Sequence, residues 1–151
     1  MFFFLIACGT VSSPTPKQQA ASSPVDTLSL TTQLSARDTT LSCTDLAGEN
    51  LKQELVNIVE TIQRPPWVPM RAATCLAELY PSESKPELMR WIADPQKKGL
   101  AFLIAGQLSH LSTEDARSVA NAGLNGPHGQ QIRIRLEKQN DERLSPVLST
   151  P

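Results

Sequence analysis

Between residues 43 and 144 the apolar positions recur with a helical period, with polar groups filling the intervals. Leu51, Leu55, Ile58, Val59 and Ile62 form one stripe, ended by Pro65-Pro66. Val68, Ala72, Cys75, Leu76 and Leu79 form a second, which stops before Pro81. Ser84-Lys85-Pro86-Glu87 has the form of a capping box with proline in the first turn, and predicts a short helix through Leu88, Trp91 and Ile92. Asp94-Pro95 predicts the start of another, running through Leu100-Ala101-Phe102-Leu103-Ile104 to Leu108 and Leu111. Apolar nearly all round, this one is expected to be the central helix. Ser112 with Asp115 opens a fifth, carrying Ala116, Val119, Ala120 and Leu124. Gly126-Pro127 introduces a sixth with Ile132 and Leu136, Ile134 lying beside them. No segment alternates with a strand period. The expected fold is all-α, with six helices in three antiparallel pairs.

The flanks have a different composition. From residue 9 to about residue 42 the chain is mostly Ser, Thr, Pro, Gln and Ala. Lys17, Asp26, Arg37 and Asp38 are its charges, and Leu28, Leu30 and Leu34 its largest apolar groups. Such a segment buries too little apolar surface to offset its conformational entropy, so it is expected to be disordered. A coil of about 34 residues spans about 30 Å on average and stretches to roughly 110–120 Å. Residues 145–151 are expected to be a disordered tail. The helical region between, about one hundred residues, is enough for one core and too short for two.

The run Phe2-Phe3-Phe4-Leu5-Ile6 is followed by Ala7-Cys8-Gly9, and together they resemble the end of a bacterial lipoprotein signal peptide. The resemblance implies cleavage between Ala7 and Cys8, leaving residues 1–7 as a signal-peptide remnant and residues 8–42 as a lipidated linker. Several acyl chains on Cys8, at about 0.8 kcal/mol per buried methylene, would make the anchor nearly permanent. A signal peptide ordinarily opens with basic residues; their lack here is expected to reflect a start codon placed too late. Gly9 stands where, in enteric bacteria, an Asp favours inner-membrane retention, so the expected location is the outer membrane, facing the periplasm. A formal net charge of -1 and a pI near 6.1 give no electrostatic footprint for nucleic acid.

With Cys8 as the lipid site, Cys43 and Cys75 remain as an even pair in an oxidising compartment. A bridge between them would clip the N-terminal edge of the domain onto its core and contribute on the order of 3–4 kcal/mol. Two buried free thiols are the alternative. Neither His110 nor His128 stands at zinc-ligand spacing from either cysteine, so no metal is expected.

Pro66, Pro95 and Pro127 punctuate the helices at intervals of 29 and 32 residues. The fifth residue after each is Arg71, Leu100 and Ile132, and the ninth is Cys75, Ile104 and Leu136. The stretch Pro66-Trp67-Val68-Pro69-Met70-Arg71-Ala72-Ala73-Thr74-Cys75-Leu76-Ala77-Glu78-Leu79 resembles the second helix of a HEAT-type repeat. That helix carries a proline, then an arginine, small alanines and a leucine at these offsets. The resemblance extends over roughly residues 45–144, with the arginine present in the first unit alone, and implies a short α-solenoid; an irregular helical bundle is the alternative. The resemblance also implies protein binding along the surface built from successive second helices. The candidate partner-binding residues there are Trp67, Met70, Arg71, Lys97, Lys98 and Gln107.

Catalysis finds no support in the motifs. The chain has no Gly-x-Ser-x-Gly elbow, no His-Glu-x-x-His and no glycine-rich phosphate loop. The expectation is a monomeric, lipid-anchored binding or scaffolding module with an unidentified protein partner, no cofactor and no enzymatic activity. A pilotin-like chaperone, escorting an outer-membrane partner such as a secretin, is the first alternative. An enzyme with an unrecognised site is the second.

Overall fold

The computed structural model describes residues 29–36 and 42–149. The signal-like residues 1–7, the candidate lipid site Cys8 and most of the expected spacer lie outside the described residues. Among the described residues there are eight α-helices, three 3-10 turns and no strand.

The apolar stripes decide which helices meet. α2 (Leu51–Thr61) buries Leu51, Leu55, Ile58 and Val59, and α3 (Trp67–Leu79) buries Val68, Ala72, Ala73, Cys75, Leu76 and Ala77. The two lie against each other, the three alanines leaving room for close packing. α4 (Lys85–Ile92) turns Leu88, Trp91 and Ile92 inward. α5 (Lys98–Gly106) buries Leu100, Ala101, Ile104 and Ala105 and touches α3, α4, α6 (Thr113–Leu124) and α7 (Gly129–Gln139). It is the central helix. α3 packs on α5 and α5 on α7, while α4 packs on α6.

Close approaches fix the register of these contacts. The Lys85 ammonium lies 2.8 Å from Asp115, joining the starts of α4 and α6. Toward their other ends, a Cβ on Gly123 would fall 2.7 Å from Ile92 Cδ1, so α6 needs glycine there to sit against α4. The turn from α6 into α7 is as tight: a Cβ on Gly129 would meet the Leu124 carbonyl oxygen at 2.1 Å.

One helix start follows its expected signal and two depart from theirs. Ser112 caps α6, accepting from the Asp115 amide at 3.2 Å and donating to the Asp115 carboxylate at 2.8 Å. Ser84 makes no such cap on α4. Fully buried, its hydroxyl donates to the Leu76 carbonyl at 3.3 Å, because the turn after α3 folds back on that helix. The capping box therefore does not form. Asp94 accepts from the Gln96 amide at 2.8 Å, and this turn delays α5 until Lys98.

Among the described residues, each flank contains a short helix that its composition did not suggest. α1 (Leu30–Ser35) lies within the expected disordered linker and packs on α3, with Leu34 fully buried and Leu30 half-buried. α8 (Ser145–Leu148) lies within the expected disordered tail. Val147 and Leu148 pack half-buried against the core, and Arg133 donates to the Leu148 carbonyl at 2.6 Å. In both segments a few leucine contacts outweigh a polar composition. The described domain is thus wider than residues 43–144.

Candidate functional site

The six candidate partner-binding residues separate into three groups. Met70 and Lys97 come together. They line a groove of about 430 Å³ where the end of α2 meets the starts of α3 and α5. Ile62, Pro66, Pro69 and Leu100 supply apolar wall, and Gln63 and Gln96 supply amides. Gly99 keeps one side open, since a Cβ there would stand 3.1 Å from Met70 Cε. Lys98 is exposed and Gln107 half-buried; neither lines this groove.

Lys97 is also held from within. Its ammonium donates to the Val59 carbonyl at 3.2 Å and to Glu60 at 3.3 Å, and stands 5.9 Å from the Trp91 ring centroid. Glu60 gathers three donors, since Trp91 Nε1 and Arg90 each reach Oε1 at 2.6 Å. Burial alone would raise the Glu60 pKa. The Trp91 hydrogen bond and the Lys97 and Arg90 charges outweigh that, and the carboxyl is held below its ordinary range. Two lining residues of the groove, Glu60 and Lys97, are therefore held in an ionic network with Arg90 and Trp91.

Trp67 and Arg71 belong to a different arrangement, which the sequence did not announce. Arg71 Nη1 donates to the Leu34 carbonyl at 3.0 Å and also to the Ala36 carbonyl. Trp67 Nε1 donates to the Ser35 carbonyl at 3.3 Å. Three successive carbonyls at the end of α1, which lack acceptor roles inside their own helix, are thus satisfied by α3 side chains. The guanidinium also complements the negative end of the peptide dipoles. The one available signal was the spacing of Leu30 and Leu34, four residues apart on one helix face.

Cys43, in the 3-10 turn Cys43–Asp45, is disulfide-bonded to Cys75 in the middle of α3, with Cα atoms 5.1 Å apart. The bridge fixes Cys43 to a position one helical turn along α3 from Arg71. Among the described residues no group of three His, Cys, Asp or Glu could hold a metal ion, and no helix is long and apolar enough to cross a membrane. His110 is exposed in the 3-10 turn Leu108–His110, whereas His128 Nε2 and Glu87 Oε2 are buried without a hydrogen-bond partner. No protein-family model, curated protein or solved structure matches this chain.

Proposed function

We propose that this chain is a lipid-anchored module of the bacterial cell envelope that binds a protein partner through the surface of its second helices. The observation that carries this reading is the groove at the starts of α3 and α5, where Met70 and Lys97 share an apolar-walled channel. An extended or helical segment of a partner would lay apolar side chains against Ile62, Pro69 and Leu100 and hydrogen-bond the two rim amides. The module carries no catalytic task.

A short HEAT-like solenoid is the architecture we assign. Three features support it: the succession α3, α5, α7 packed side by side, the parallel succession α4, α6, and contacts joining like positions. Met70 near the start of α3 meets Gly99 near the start of α5, and Gly106 at the end of α5 meets Arg135 in the second half of α7. Anchoring through Cys8 rests on the lipobox-like run and agrees with a disulfide suited to an exported domain.

Crosslinking and pull-down from native membranes, with wild type beside Cys8→Ser, tests this function. The wild type is expected to recover a defined partner from the membrane fraction, and the variant to lose both the fraction and the partner. Identical partners from the same fraction would refute anchoring. Recovery of a secretin would turn the reading to the pilotin-like alternative.

A further inference from the structure

The α3 face bearing Trp67 and Arg71 is built to hold the end of a helix. Its donors address main-chain carbonyls, which every helix terminus offers, and Leu34, fully buried, and Leu30, half-buried, supply apolar contact. The occupant in this structure is a six-residue helix, far too short to persist on its own, so its order depends on being docked. The receptor does not depend on the occupant in the same way. α3 is packed on α2 and α5 and pinned through Cys75, contacts in which α1 takes no part.

We propose that residues 29–36 are an internal plug, and that the Trp67–Arg71 face is a binding site for the C-terminal turn of a partner's amphipathic helix. This rests on the reading of the second-helix surface as the partner-binding face, and names the chemistry one part of it recognises. The required ligand has an apolar residue, leucine in the internal copy, at the position whose own carbonyl and the next two are free. Arg71 donates only and Trp67 donates only, so what the ligand contributes to these two side chains is acceptors. The plug holds an advantage of effective concentration, on the order of millimolar for a short connection. A partner therefore binds by matching the same chemistry with additional contacts in the adjoining Met70–Lys97 groove.

A titration of the full chain tests the plug. The probe is a synthetic, C-terminally amidated peptide of residues 27–38, added to millimolar concentration. The readout is the indole N–H resonance of Trp67. Trp91, the other of the chain's two tryptophans, is bonded to Glu60 and reports that the fold is intact. Two variants expel the plug by different means. Leu34→Asp charges its buried side chain, and Ser35→Pro breaks its helix while leaving Leu34 in place. In either variant the Trp67 resonance is expected to move and the peptide to return it toward the wild-type position. Wild type is expected to show no saturable change. Arg71→Gln, added to a plug-expelled variant, is expected to weaken peptide binding about tenfold or more. If the Trp67 resonance is unchanged by both variants, residues 29–36 are no plug. If the peptide does not bind a variant whose Trp91 signal is native, or binds wild type as readily, the helix-end site is refuted. The titration uses neither membrane nor partner, so its failure is separable from failure of the membrane pull-down.

Discussion

Both ends of the described chain are fastened by arginines that donate to backbone carbonyls, but only the C-terminal segment brings an arginine of its own. At the C-terminal end Arg117 and Arg133 of the domain donate to the Arg143 and Leu148 carbonyls, and the segment adds a donor in the other direction. Arg143, in the 3-10 turn Glu142–Leu144, reaches the Leu111 carbonyl at 3.0 Å and the Leu108 carbonyl at 3.4 Å. It is steadied by Asp141, 2.6 Å away, while Leu144 is fully buried beside it. At the N-terminal end the arginine belongs to the domain, and the fastened segment brings carbonyls and Leu34. A segment that carries its own charged donor is specific to its place. One that offers only acceptors and apolar side chains is, on the proposal above, exchangeable for a partner's helix end with the same features. The first arrangement closes a fold, and the second describes a receptor with an occupant.

The largest expected contrast lies in the two buried leucines. Leu144→Ala is expected to lower global stability by about 3 kcal/mol, which for a domain of this size lowers the thermal midpoint by roughly 10 °C or more. Leu34→Ala removes as many atoms, yet its cost to the domain cannot exceed the free energy of docking α1. Its midpoint shift is expected to be clearly smaller, with hydrogen exchange at residues 30–36 rising sharply. Equal midpoint shifts would make α1 an integral part of the core.

Removing the disulfide, Cys43→Ser with Cys75→Ser, comes next. It is expected to cost about 2–4 kcal/mol and to speed exchange in α1, because the chain after the plug is no longer pinned near Arg71. Exchange in α8 measured alongside is expected to change only as much as global stability does.

The arginines themselves have a smaller effect. Arg143→Met is expected to cost about 1–3 kcal/mol globally, since buried carbonyls and Asp141 lose a charged partner. Arg71→Gln is expected to leave urea unfolding nearly unchanged while exposing residues 29–36 to limited proteolysis. The reverse pattern would exchange the roles assigned to the two ends.

Acid supplies the smallest and cleanest distinction. The side-chain hydrogen bond from Arg143 holds the Asp141 carboxyl below its ordinary value. A depressed carboxyl pKa stabilises the fold above the unfolded value, and that stability is lost as pH falls through the folded one. Between about pH 4 and the folded pKa, the C-terminal clamp is expected to weaken in wild type and to respond less in Asp141→Asn. Thermal midpoints measured across that range, with both variants, would show it.

The interior was legible because its signal is the one burial imposes. Leu51, Leu55, Ile58 and Val59, or Leu88, Trp91 and Ile92, recur at helical spacing since those faces meet the core. The central position of α5 followed from apolar residues around its whole circumference. What stayed hidden depended on partners outside the local window. Ser84 carries the local pattern of a cap, but a carbonyl eight residues earlier takes its hydroxyl. α1 is held by donors more than thirty residues away acting on main-chain oxygens, which leave no trace in residue type. Trp67 and Arg71 were conspicuous as binding residues, and the structure places a segment of the same chain against them. Met70 and Lys97 shared a groove because two helix starts stack, a relation the repeating prolines hinted at.

Site-specific photo-crosslinking in native membranes bears on partner binding at the second-helix surface without relying on stability. A photoreactive residue at position 70, inside the groove, is compared with one at Thr113, exposed at the start of α6. A discrete adduct from position 70, absent from position 113 and lost in Cys8→Ser, is the predicted result. Adducts of equal yield from both positions, or none from position 70, would contradict it.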